Sequence, residues 1–175
     1  LSVGRGRLMV KVIDHLQTGK RKFIKGGGRK VDIPLEVLDN HKNKKEIRAD
    51  SFLEKRKDWG IKKVFVFQGG AVANILSEIG KNKNIKYYCP YHEQSMAMAV
   101  DAFSRVGKMS AGFVTSGPGA TNLLTGVACS YYDSIPAIFF TGQVGQFHIV
   151  GKKKVRQRGF QESNILSIFK PVTKF

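Results

Sequence analysis

Between residues 50 and 175 short β-prone runs alternate with amphipathic stretches of helical length, and this alternation admits few architectures. Val64-Phe65-Val66-Phe67, Ile85 to Cys89, Ser110 to Thr115, Ala137 to Thr141 and Val172 to Phe175 read as strands. Helical patterns cover residues 50–59, Ala71 to Ile79, Glu93 to Val106, Thr121 to Tyr132 and Glu162 to Phe169, with Gly60 and Gly80 as stop signals. Strands separated by helices of roughly 10–15 residues require right-handed crossovers. The expected fold class is therefore α/β: a doubly wound, mainly parallel sheet with helices on both faces.

Charge decides where this domain begins. The chain has 175 residues and a formal net charge of +17, which raises the question of a nucleic-acid partner. Residues 1–49 hold 13 basic and 5 acidic side chains, residues 50–148 hold 10 and 7, and residues 149–175 hold 7 and 1. The surplus lies at the two ends, and the basic residues lack interleaved aromatics, which argues against nucleic acid as the partner. Residues 1–49, with Gly26-Gly27-Gly28 and the lysine clusters at 20–25 and 42–45, are expected to form an irregular basic extension, and residues 50–175 the domain. No apolar run approaches the roughly 18–20 residues of a membrane span. The extension has no apolar signal-peptide core, and its acids Asp14, Asp32, Glu36, Asp39 and Glu46 do not suit a transit peptide. A cytoplasmic protein is expected, organellar if the source is eukaryotic. Two cysteines only, Cys89 and Cys129, fit a reduced compartment and are expected to be plain buried thiols.

In a parallel α/β sheet ligands bind outside the carboxyl ends of the strands. Four distinctive segments fall there: Gln68 to Ala71, His92-Glu93-Gln94, Thr115 to Asn122, and Thr141 to Val144. Gly69-Gly70 and Gly117-Pro118-Gly119 remove side-chain bulk at two helix entrances, where a flat ligand can approach the backbone. Glu93 is the one acid on this rim. It sits where a helix dipole favours negative charge and where a strand and an apolar helix desolvate it, as proton sharing requires. His92 beside it is expected to be satisfied by backbone contacts. Met96, Met98, Ala99, Ala102 and Phe103 recur at helical spacing, and the methionines are expected to fill the core.

The same segments carry a resemblance. Gly69-Gly70-Ala71, His92-Glu93-Gln94, Thr115-Ser116-Gly117-Pro118-Gly119-Ala120-Thr121-Asn122, Thr125-Gly126, Asp133-Ser134-Ile135-Pro136, Thr141-Gly142-Gln143-Val144 and Gly159-Phe160-Gln161-Glu162, in that order, resemble the N-terminal pyrimidine-binding domain of thiamine-diphosphate enzymes of the acetolactate synthase family. The resemblance implies that thiamine diphosphate is the cofactor. It implies that Glu93 hydrogen-bonds the aminopyrimidine ring and promotes loss of the thiazolium C2 proton, and that Pro118, Asn122, Gly69 and Gly70 line that ring. Phe160 and Gln161 match the pair facing the substrate, a 2-oxo acid such as pyruvate, with Gln161 orienting it.

Departures set further expectations. Phe67-Gln68 stands where the family commonly has Tyr-Pro, Gly145 where it has Pro, and the loop between Gln143 and Phe160 is longer and carries Lys152, Lys153, Lys154, Arg156 and Arg158. The Gly-Asp-Gly segment with which these enzymes hold Mg²⁺ and the diphosphate does not occur in this sequence, nor does their central FAD-binding domain. The expectation is a fragment of a carboligating 2-oxo acid decarboxylase, its diphosphate-binding domain supplied in trans or by the rest of the chain, in a homodimer or homotetramer. A natural α subunit of a two-chain 2-oxo acid decarboxylase is the alternative.

Overall fold

A computed structural model describes residues 8–13 (backbone), 52–54, 56–106, 108–144, 148–150 and 154–173. Five strands form one sheet: β1 (Leu8–Ile13), β2 (Lys63–Val66), β3 (Lys86–Tyr88), β4 (Ala111–Val114) and β5 (Ala137–Gly142). Their order is β1-β5-β4-β2-β3, and every neighbouring pair is parallel. Helices α1 (Ala73–Lys81), α2 (Glu93–Arg105), α3 (Pro118–Thr121) and α4 (Leu124–Tyr132) connect β2 to β5, and α5 (Ile165–Phe169) follows β5. The chain runs from β2 outward to β3, then back across β2 to β4, so the direction of winding switches between β2 and β4.

Alternation along β4 and β5 separates two cores. Side chains two residues apart in a strand share a face. Ala111 and Phe113, with Ile138 and Phe140, point to one face, where Val64, Val66, Val72, Ile75, Ile79 and Phe52 join them. Val114, Ala137 and Phe139 point to the other, against Met96 and Val100 of α2, Val127 of α4 and Phe169 of α5. All of β4 and β5 is buried, as a parallel sheet covered on both sides demands. Phe113 and Phe140 stack at 4.6 Å, with Phe52 edge-on to both at 4.9 and 5.3 Å.

Two glycines bring helices in close. A Cβ at Gly112 would lie 2.9 Å from the Met96 side chain, and one at Gly126 would lie 2.5 Å from the Ala97 Cβ. Helix α2 therefore beds on the sheet at Gly112 and touches α4 at Gly126. Asp101 and Ser104 lie on the buried stripe of α2 because both are paired: Asp101 accepts from Ser130 Oγ at 2.7 Å and from Arg105 Nε at 2.6 Å, and Ser104 Oγ lies 3.3 Å from Ser110 Oγ. Arg105 also reaches Asp133 at 2.6 Å, and its hydrogen bonds to Asp101 first and Asp133 second hold the guanidinium protonated.

The doubly wound parallel fold is as the alternation predicts, and several particulars differ. Leu8–Ile13, expected to be irregular, is instead β1 along the whole of β5, supplying backbone partners to a strand that would otherwise end the sheet as an open edge. The rest of residues 1–49 lies outside the described residues. No strand forms at Val172: residues Lys170–Val172 make a 3-10 turn containing Pro171, which has no N–H to donate, and Thr173 Oγ1 donates back to the Phe169 carbonyl at 2.8 Å. Residues 174 and 175 lie outside the described residues. Gly80 does not stop α1, which runs to Lys81. The helix expected from Thr121 splits into α3 and α4 around Asn122 and Leu123. The buried stripe of α2 is Met96, Ala97, Val100, Asp101 and Ser104, which leaves Met98 and Ala102 exposed. Both cysteines are free and exposed, correcting the expectation of buried thiols.

Candidate functional site

The segments after β2 and β4 meet at the switch in winding, where open parallel sheets take ligands. Beyond Val66 the chain passes through Gly69, whose Cα is packed against Thr115 so closely that a side chain there would collide with the Thr115 Cβ. Thr115 Oγ1 accepts a hydrogen bond from Ala71 N at 3.4 Å. Ala71 in turn abuts Gly142 at the end of β5, where an added Cβ would lie 2.5 Å away. Three strand ends are thus locked together through two glycines and one threonine.

The acid of the rim is buried. Glu93 opens α2 behind His92, whose Nδ1 accepts from Gln94 N at 3.1 Å. Its Oε2 accepts from Asn122 Nδ2 at 3.0 Å. Its Oε1 faces Gly119, where an added Cβ would lie 3.4 Å away. His92 is half exposed with Nε2 3.9 Å from the carboxylate, and its backbone bond is the bland role expected of it. Gln94 Nε2 donates to Thr125 Oγ1 at 3.1 Å, tying α2 to α4 beside the carboxylate.

On the other side of Thr115 lies a pocket of about 410 Å³, lined among others by Gly70, Gln143, His148, Phe160 and Gln161. Gly117 has φ +60°, and the Gln161 backbone packs against its Cα so that no side chain fits between them. Gln161 itself has φ +58°. Phe160 is 86% exposed.

The structure therefore joins Glu93 with Asn122, and joins Gly70, Phe160 and Gln161 around the pocket. Glu93 and Asn122 do not line that pocket, and Pro118 is exposed at the start of α3. Thr115, His148 and Glu162 are site residues that the sequence reading left without roles. Thr115 directly follows a fully buried strand at a ligand-binding rim, and that position is the signal for it. Nothing local in the sequence marks His148, since a long loop brings it back. A buried carboxylate with one oxygen held by an amide and the other facing a glycine can share a proton with a nitrogen of a flat heteroaromatic ring. Gly119 packs on Thr115, where an added Cβ would lie 2.7 Å from the threonine Cγ2, so the glycine fixes the backbone beside the acid. The buried carboxylate with its free Oε1 fits the proton-sharing partner that the pyrimidine of thiamine diphosphate requires.

Among the described residues no cluster of three or more His, Cys, Asp or Glu is placed to hold a metal ion, and no helix is long and apolar enough to cross a membrane.

A parallel sheet with a buried glutamate and glycine-lined turns at its switch point defines a class, the α/β domains that take a ligand at the carboxyl ends of their strands. Residues 48–168 match the family model of the thiamine pyrophosphate enzyme N-terminal TPP binding domain, and the chain belongs to that family. Within it the chain is similar to acetolactate synthase large subunits. It is 37% identical over 124 residues to that of Lactococcus lactis, covering 70% of this chain and 20% of the relative. It is 42% identical over 118 residues to that of Cyanidium caldarium (65% and 19%) and 38% identical over 118 residues to the isozyme 3 large subunit of Escherichia coli (67% and 20%). The chain spans about a fifth of the length of these relatives.

Proposed function

We propose that this chain supplies the pyrimidine side of a thiamine-diphosphate site in an acetolactate-synthase-like enzyme, which decarboxylates a 2-oxo acid such as pyruvate and joins the remainder to a second oxo acid. The observation that carries the reading is the buried Glu93 carboxylate, held by Asn122 at 3.0 Å and facing Gly119. Thiamine diphosphate, when bound, supplies the electron sink for breaking and making the carbon–carbon bonds.

The work of this chain is positioning and proton transfer. Glu93 shares a proton with a pyrimidine ring nitrogen, in surroundings where burial excludes competing water. Asn122 keeps Oε2 occupied and so fixes which oxygen is offered. Gly70, with open space where a side chain would stand, and the Pro118 ring line the pyrimidine, while Gly69 packs on Thr115 beside it. Phe160 and Gln161 stand on the substrate side, where the exposed ring of Phe160 covers an apolar part of the oxo acid and the Gln161 amide orients its polar end. Mg²⁺ and the diphosphate belong to a second domain, in trans or in a longer chain, and FAD to a full-length enzyme. The assembly is a homodimer or homotetramer, in the cytoplasm or, for a eukaryotic source, an organelle.

The test supplies thiamine diphosphate, Mg²⁺ and pyruvate to this chain with and without a diphosphate-binding domain from an acetolactate synthase, comparing wild type with Glu93→Gln. Acetolactate is expected only with the partner domain, and the substitution is expected to remove about 100-fold or more of the rate. Activity that survives Glu93→Gln overturns the assignment.

A further inference from the structure

Glu162 follows Phe160 and Gln161 directly in the chain but does not line the pocket. Its carboxylate gathers three backbone donors from two stretches of the long loop. Oε1 accepts from Val150 N at 2.6 Å, and Oε2 accepts from Arg158 N at 2.9 Å and Gly159 N at 3.2 Å. The Glu162 backbone adds two more bonds, its N–H donating to the Gly159 carbonyl at 3.1 Å and its carbonyl accepting from Gln157 Nε2 at 3.0 Å.

These bonds bear on the pocket because each stretch carries one of its walls. The first, residues 148–150, begins with His148. The second leads into Phe160 and Gln161. The two stretches touch: a Cβ at the buried Gly159 would lie 2.9 Å from both the Cβ and the carbonyl oxygen of His148, and 3.1 Å from the Val144 side chain. Gln161 is meanwhile held in the left-handed region, a conformation a non-glycine residue keeps only where its surroundings impose it.

We propose that Glu162 is the positioning residue of the pocket wall: its ionised carboxylate clamps residues 148–150 to residues 158–159 and thereby sets where His148 and Gln161 stand. The role rests on reading the pocket as the substrate side of the thiamine site, while the clamp itself requires no cofactor. Only a carboxylate suits the geometry. It has acceptor sites for all three N–H groups, whereas a glutamine at this position has one acceptor oxygen and turns an N–H₂ donor toward the remaining donors. Charge also makes each bond stronger than its neutral counterpart. Among the described residues the charged and titratable side chains around the clamp are Arg158, whose positive charge favours the carboxylate, and, along the same loop, His148, Lys154 and Arg156.

The test is nuclear magnetic resonance on the full chain without cofactor, comparing wild type, Glu162→Gln and Glu162→Asp. In wild type the amide protons of Val150, Arg158 and Gly159 are expected to titrate together as one carboxylate is protonated. In Glu162→Gln that common titration disappears, and exchange protection of the three amides falls by about tenfold or more. The His148 imidazole and Gln161 side-chain amide signals move as well, while the amides of Phe113 and Phe139 in the sheet stay protected. Glu162→Asp keeps the charge and is expected to keep the common titration, which preserves the test should Glu162→Gln not fold. Unchanged protection of the three amides in Glu162→Gln, or released amides with unmoved His148 and Gln161 signals, overturns the proposal. Since neither thiamine nor oxo acid is added, the outcome is independent of the Glu93 experiment.

Discussion

Asn122 Nδ2 donates to Glu93 Oε2 at 3.0 Å across 29 residues of sequence, and this bond ties the break between α3 and α4 to the first turn of α2. Asn122 keeps helical backbone angles (φ −63°, ψ −17°) as the cap that ends α3, and from there its amide reaches the acid.

Replacing Asn122 with alanine leaves a buried carboxylate without its amide donor. A hydrogen bond to a charged group contributes about 1.5–3 kcal/mol, and a loss of stability of that size is expected for Asn122→Ala in equilibrium urea unfolding. A change below about 0.5 kcal/mol would show that water replaces the amide and that Asn122 does not fix the carboxylate.

Two glycines in helices are expected to respond oppositely to alanine. Gly126 has the backbone of Ala97 and Met98 against it, with an added Cβ 2.8 Å from Ala97 C and 3.0 Å from Met98 N, and neither atom can move aside alone. Gly126→Ala is expected to destabilise by about 1–3 kcal/mol as α4 is pushed off α2. At Gly80 nothing lies within 4 Å of an added Cβ. Gly80→Ala in this helical position is expected to stabilise by about 0.4–1 kcal/mol, by reducing the freedom of the unfolded chain. Paired melts of the two variants check both signs.

The contrast between these two glycines marks what the sequence could reveal. Periodicity is a local property, so β2, β4, β5 and α2 were legible to within a residue or so, and with them the rim on which Glu93, Asn122 and Gly69 stand. Gly80 looked like a stop because a glycine at the end of an apolar pattern is usually one, but the turn at Asn82, whose Oδ1 accepts from Asn84 N at 3.0 Å, ends the helix instead. The buried stripe of α2 was misplaced because Asp101 and Ser104 are buried through partners outside the helix: Ser130, 29 residues along the chain, and Ser110, just beyond the helix end. Pairing of β1 with β5, the return of His148 to the pocket, and the contact of Glu162 with Val150 behind it, are long-range events that no window of residues contains. The family resemblance located Phe160 and Gln161, where local chemistry did not.

Exposure of both cysteines makes a simple prediction about reactivity. Cys89 ends the β3 segment and Cys129 lies on the outer face of α4, and neither is covered by the domain. Under native conditions both are expected to react with a water-soluble disulfide reagent at rates within about tenfold of the unfolded chain. Labelling that requires denaturant at either position would mean that another surface covers it, as in a homodimer.

Acid is expected to weaken the chain through Glu162. Desolvation pushes its pKa up, but the backbone donors from Val150, Arg158 and Gly159, with the charge of Arg158, outweigh that and hold the carboxyl below its ordinary value of 4.5. The unfolded chain therefore takes up this proton at a higher pH than the folded one does. The stability that Glu162 contributes is present above the ordinary value and is lost as pH falls through the lower, folded value. Between about pH 6 and about pH 3 the urea midpoint of wild type is expected to fall further than that of Glu162→Gln, whose side chain binds no proton. Equal falls in the two proteins would place the acid sensitivity elsewhere and show that the loop donors do not favour the ionised carboxyl in the folded chain.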